Sequence, residues 1–189
     1  MTNLVNPTLL APLATANDDV LIGTDFADVL SGGDGNDSIF GNAGRDWLDG
    51  DAGRDTVVGG AGGDLLYGWD GDDTLNGEAG DDFLFGEAGA DTLVGGSGND
   101  ALAGGLGANV FVFGAGSGFD DILDFEPGVD KIAIVAGTAG IATAQGAFVH
   151  LSADVDGTAV LNLGDGNAVT LIGVSAAQIT AGDFSILTA

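Results

Sequence analysis

The chain has no cysteine, a single histidine and only three basic residues, Arg45, Arg54 and Lys131. Without thiols, neither disulfides nor thiolate metal sites can stabilise it. Against those three cations stand 29 acidic residues, a formal net charge of -26. Such a surface repels nucleic acid and anionic lipid, so neither is expected as a direct partner. No run approaches the ~18 apolar residues of a membrane span. Catalytic signatures are missing too: there is no His-Glu-x-x-His, no Gly-x-Ser-x-Gly and no phosphate loop. His150, in a candidate strand, reads as a surface or core-edge residue, and no enzyme is expected.

What the chain does have is 36 glycines and a hydrophobic fraction of 45%. Self-repulsion and glycine entropy oppose collapse of a metal-free chain this acidic. The hydrophobic fraction is nevertheless too high for a permanently disordered polyelectrolyte. The two facts are reconciled if divalent cations belong to the folded state.

From Gly23 to Val112 a nine-residue unit repeats without a gap, as in Gly32-Gly33-Asp34-Gly35-Asn36-Asp37-Ser38-Ile39-Phe40. Steps of nine from Asp28 land on Asp37, Asp46, Asp55, Asp64, Asp73, Asp82, Asp91 and Asp100, and then on Asn109. Two residues after each lies an apolar residue, from Leu30 and Ile39 through Leu102 to Phe111. Two residues before lies a glycine: Gly35, Gly44, Gly53, Gly62, Gly71, Gly80, Gly89 and Gly98. The first unit departs from this, with Phe26 in the glycine column, and reads as a cap.

Positions one to six of the unit suit a tight turn, including glycines such as Gly33 and Gly60 at position two. Positions seven to nine, rich in Thr, Val, Leu and Phe, suit a strand of about three residues. In such a strand the middle residue faces inward and its neighbours outward. Stacking successive strands at roughly 4.8 Å would build a continuous core.

These columns resemble the glycine-rich nonapeptide of RTX proteins, the hemolysin-type calcium-binding family, a period for which that family is a standard example. The resemblance implies an all-β fold, a parallel β-roll with two nonapeptides per right-handed turn. Alternate repeats would then stack, with Asp28, Asp46, Asp64, Asp82 and Asp100 on one side and Asp37, Asp55, Asp73 and Asp91 on the other. Calcium wants six to eight oxygens. Two stacked turns could enclose one ion with glycine carbonyls and a carboxylate from each. Adjacent pairs give about seven sites, and an eighth, pairing Asp91 with Asn109, would be weaker for want of a charge.

The outward positions differ by side. Val29, Trp47, Leu65 and Phe83, beside Tyr67 and Phe85, form an apolar strip expected to be covered by the C-terminal region, the N-terminal leader or a second copy of the chain. The other side carries a hydroxyl row, Ser38, Thr56, Thr74 and Thr92.

Residues 1–22 read as a leader or cap and a poor Sec signal, 23–112 as the roll, and 113–189 as an antiparallel β capping region. The segment Asp120-Asp121-Ile122-Leu123-Asp124-Phe125, followed by Pro127-Gly128-Val129-Asp130-Lys131-Ile132, resembles the region after the repeats in serralysin-like proteins. Strands are expected on either side of Pro127-Gly128 and over 148–155, 158–163 and 168–172, with hairpin turns at Asp156-Gly157 and Asp165-Gly166. Asp121, Asp124 and Asp130 are candidates for a further calcium or for solvated turn acids. The tail 179–187 resembles a type I secretion signal. The resemblance thus implies a secreted, extracellular or cell-surface protein that folds on meeting calcium, with a structural or adhesive role. A polysaccharide-binding module and a non-catalytic part of a toxin, protease or lipase are the alternatives.

Overall fold

The computed structural model describes residues 3–5 and 15–188. It is a parallel β-solenoid of about six turns. The winding is made of β1 (Asn3–Val5), β2 (Val20–Ile22), β3 (Val29–Ser31), β4 (Ser38–Gly44), β5 (Trp47–Asp49) and β6 (Thr56–Gly62). It continues through β7 (Leu65–Asp70), β8 (Thr74–Ala79), β9 (Phe83–Ala88), β10 (Thr92–Ser97) and β11 (Ala101–Ala103). Beyond the repeats come β12 (Val110–Phe113), β13 (Phe119–Ile122), β14 (Lys131–Val135), the helix α1 (Ala144–Val149), β15 (Leu151–Ala153), β16 (Thr158–Gly164), β17 (Asn167–Ser175) and β18 (Phe184–Leu187).

Alternate strands fall into two nine-stranded sheets. One runs β1-β2-β4-β6-β8-β10-β12-β14-β18 and the other β15-β16-β17-β13-β11-β9-β7-β5-β3. The eighteen-residue register follows, Ile39 opposite Val57 and Leu48 opposite Leu66. Because the strand alternates, position eight points between the sheets. Leu30, Ile39, Leu48, Val57, Leu66, Leu75, Leu84, Leu93, Leu102 and Phe111 are all buried there. Leu21 heads the same column, one unit before Gly23.

Above the repeats the winding does not stop. β14 and β18 extend the first sheet in parallel, and β13 and β17 extend the second. Among the described residues only β15, β16 and β17 form an antiparallel meander. The strands flanking Pro127-Gly128 lie in opposite sheets and do not pair as a hairpin. The turn at Asp165-Gly166 forms as expected, with φ 51 and 84 at its two residues, the left-handed pair that a two-residue hairpin requires. The expected strand over 148–155 is corrected: α1 ends at Val149 and only Leu151–Ala153 is extended. A short apolar run carries no decisive period, and here the alanines before it favour a helical turn. His150 sits half-buried between the two. Among the described residues no helix is long and apolar enough to cross a membrane.

Candidate metal centre

The turns between strands stack on two flanks of the roll, and each flank carries an unbroken ladder through its position-six residues. On one flank the backbone N–H of Asp19 donates to Asp37 Oδ1 at 2.7 Å. Asp37 donates likewise to Asp55, Asp55 to Asp73, Asp73 to Asp91, Asp91 to Asn109 and Asn109 to Asp130. On the other flank Asp28 donates to Asp46, and the series continues through Asp64, Asp82 and Asp100 to Asp120. The two expected stacks are therefore brought together, and each is longer than the repeat alone suggests.

Each ladder carboxylate uses only one oxygen this way. Oδ2 of Asp37, Asp46, Asp55, Asp64, Asp73, Asp82, Asp91 and Asp100 is buried without any hydrogen-bond partner. These residues are at most 2% exposed. A buried carboxylate left half unpaired is costly, so a cation is the natural complement. The orphan oxygens converge with carbonyls from the next turn. The place where a Cβ on Gly50 would stand is 2.6 Å from Asp55 Oδ2 and 2.9 Å from Gly68 O. At Gly59 the same place is 2.6 Å from Asp64 Oδ2 and 3.0 Å from Gly77 O. These cradles admit no side chain, which accounts for the glycine at position one of every unit. Those position-one carbonyls escaped the sequence reading, although their glycine column is as regular as the Asp column.

The position-four glycines serve the stacking. Gly80 has φ 138, and a Cβ there would collide with the carbonyl of Gly62. Position two is left-handed in every copy from Gly33 to Gly105, with φ between 70 and 110. Asn42, Asp51, Trp69, Glu78 and Glu87 hold that conformation without being glycine, a strain of about 1 kcal/mol or more each.

Burial sets the electrostatics. It pushes Asp55 and Asp82 up to about 7, and Asp46, Asp91, Asp100 and Asp120 up to about 6. Asp37, Asp64, Asp73 and Asp130 are raised for the same reason. Among the described residues no three or more His, Asp or Glu side chains converge. Any one cage thus draws mainly on carbonyl oxygens, a donor set that suits calcium better than magnesium.

Asn109 ends its flank differently. Its Oδ1 accepts from Asp91 at 3.0 Å, so its buried, unpartnered Nδ2 faces the cradle at Gly104. An amide there offers hydrogens where other turns offer anionic oxygen. Asp28 is half-buried, with its Oδ2 bonded by Thr24. Of the post-repeat candidates, Asp130 is buried in the ladder, whereas Asp121 and Asp124 are exposed. Asp124 accepts from the amides of Gly104 and Gly105.

The apolar strip stays open to solvent among the described residues. Trp47 is 48% and Phe83 49% exposed, and a groove of about 560 Å³ runs past Val29, Leu65 and Arg45. Cover by the C-terminal region is thereby corrected: that region continues the winding above the strip instead of folding back over it. The leader residues 6–14 lie outside the described residues. Tyr67 stacks on Phe85 at 5.0 Å and on Trp69 at 5.7 Å. On the opposite sheet Ser38, Thr56, Thr74 and Thr92 stand in register.

A parallel β-solenoid whose stacked glycine turns bury rows of half-paired carboxylates is a cation-binding repeat protein. The RTX calcium-binding nonapeptide repeat model matches the chain in four copies, at residues 13–48, 49–84, 77–111 and 85–123, and the chain belongs to this family, whose repeats bind calcium. No curated protein matches it. Among solved structures it is similar to the extracellular lipase LipA from Serratia marcescens, with 23% identity and a TM-score of 0.51. That match covers 90% of this chain and 40% of the lipase chain, and it supports the fold alone. A weaker likeness is to the AlgE6R3 subunit of the mannuronan C5-epimerase from Azotobacter vinelandii, with 25% identity and a TM-score of 0.46. It covers 93% of this chain and 82% of that one.

Proposed function

We propose that this protein is a secreted calcium-binding RTX module whose repeat region folds on meeting calcium outside the cell. The supporting observation is the row of eight carboxylates, Asp37 to Asp100, that each bury one oxygen without a partner. Bound calcium would supply the positive charge and oxygen coordination that these groups lack. The position-six carboxylates from Asp37 to Asp100 and the position-one carbonyls of Gly50, Gly68, Gly59 and Gly77 are its holders, with position-two and position-four glycines such as Gly33, Gly60 and Gly80 shaping the turn. At low calcium the carboxylates of the chain repel one another and keep it open, a form suited to a type I exporter reading the C-terminal tail. At calcium near the ~0.1–1 mM affinities of extracellular modules the turns close in sequence.

A structural or adhesive role at a surface or matrix is the reading that the open apolar strip favours. A second reading, as the non-catalytic repeat region of a larger enzyme, draws on the lipase likeness, since the chain spans only 40% of that protein. Circular dichroism during calcium titration tests the shared core. The strand signal of the repeats should appear with calcium and be lost with EGTA, leaving that of the C-terminal strands. A strand signal indifferent to EGTA would refute it.

A further inference from the structure

Not every ladder carboxylate leaves its second oxygen free. Thr24 donates to Asp28 Oδ2 through its amide at 2.6 Å and its hydroxyl at 2.9 Å. Thr15 does the same to Asp19 Oδ2, at 2.9 and 2.8 Å. Glu126 closes Asp130 Oδ2 with its amide at 2.8 Å. In each case the donor is four residues before the acid, at position two of the turn.

The backbone explains the division. Repeat turns hold position two in the left-handed region, and in those from Asp37 to Asp100 no donor reaches Oδ2 of the acid. Thr24 and Glu126 do not adopt it. A β-branched residue such as Thr24 is an outlier in that region, and Thr24, held outside it, donates its amide to Asp28. Elsewhere the cradle is unchanged: a Cβ at Gly23 would stand 2.5 Å from Gly41 O and 2.9 Å from Asp28 Oδ2.

At the other end the logic runs the opposite way. Asp120 lies outside the unbroken nonapeptide, twenty residues after Asp100, yet its turn keeps the glycines of positions two and four, Gly116 with φ 83 and Gly118 with φ 97. Position one is Ala115, which is exposed and so stays out of the buried site. Asp120 is 1% exposed, and its Oδ2 is buried without a partner, as is the hydroxyl of Ser117.

Resting on the calcium reading above, we propose that the cation ladder is displaced from the repeat by one turn on this flank. Asp28 is a hydrogen-bonded terminator that holds no ion, as are Asp19 and Asp130. Asp120, with the Ser117 hydroxyl, holds a calcium beyond the last repeat. The terminators satisfy the open ends of the stack without metal, so the winding has finished ends even where no further cage can form.

The test is the number of calcium ions bound per chain at saturation, measured by equilibrium dialysis, with circular dichroism to confirm the folded state. Asp64→Asn is the control for the calcium reading and should lower the count by one or two. An unchanged count there would overturn that reading itself. With the control met, Asp28→Asn should leave the count unchanged and Asp120→Asn should lower it by one. Asn at 120 retains an Oδ1 acceptor for the Asp100 amide, so the ladder survives the change. Thr24→Gly, which restores the left-handed option, should raise the count by one. Loss of an ion from Asp28→Asn, no gain from Thr24→Gly, or no loss from Asp120→Asn would each overturn the displacement.

Discussion

The repeat half and the C-terminal half of the roll share two sheets but are held together differently. Each of the eight nonapeptides from Asp37 to Asp100 buries one large apolar side chain, such as Leu66 or Leu84, beside a carboxylate that is half unpaired. In the C-terminal half Ile132, Ile134, Leu161, Val169, Leu171 and Phe184 are buried in the apolar core. Apart from Asp120, next to the last repeat, its buried acids are closed by hydrogen bonds, Asp130 by Glu126 and Asp183 by Thr180. One half needs a cation to offset what it buries, whereas the other draws on the hydrophobic effect.

Chelation should break the molecule along that line. Hydrogen exchange in EGTA should show amides of β5 to β10 losing protection by orders of magnitude while β16 and β17 keep most of theirs. Equal loss in both halves would erase the distinction. Glycine substitution separates the halves next. Gly80→Ala places a Cβ against the Gly62 carbonyl at φ 138, so it should destabilise by about 3 kcal/mol or more. Gly166→Ala has φ 84 but nothing within 4 Å, so it should cost only about 1 kcal/mol. Chemical denaturation of the calcium-loaded variants compares them.

Acid should move the repeats in opposite directions according to metal. The raised carboxyls stabilise the metal-free roll while protonated. That contribution is complete below their ordinary value of 3.8 and is lost as pH rises through about 6 to 7. In EGTA, thermal melts should therefore show a more stable roll near pH 4 than near pH 8. With calcium the order reverses, because protons compete for the same oxygens. The smallest expected effect is Glu87→Gly. Glycine relieves φ 72 there, which should raise stability by about 1 kcal/mol in calcium.

The ladder was legible in the sequence where spacing held. The Asp, apolar and glycine columns gave the inward face, and the resemblance they carry to the RTX repeat gave the eighteen-residue register and the two stacks. Asp19 fits the same nine-residue step and was missed only because the glycine columns do not reach it. Asp120 and Asp130 were hidden by spacings of 20 and 21 residues, which the fold absorbs in longer turns. The closing of Asp28 by Thr24 depends on which way one amide points, something that composition does not encode. The parallel continuation of β13, β14, β17 and β18 was hidden as well, because hairpin turns such as Asp165-Gly166 speak only for neighbouring strands.

Both tryptophans of the chain, Trp47 and Trp69, lie in the repeats and neither in the C-terminal half. Trp69 occupies position two of the turn that ends in Asp73, and it stacks on Tyr67 only while that turn holds its left-handed bend. The protein therefore carries its own optical gauge: its intrinsic emission reads the closing of the glycine turns and is blind to everything above them.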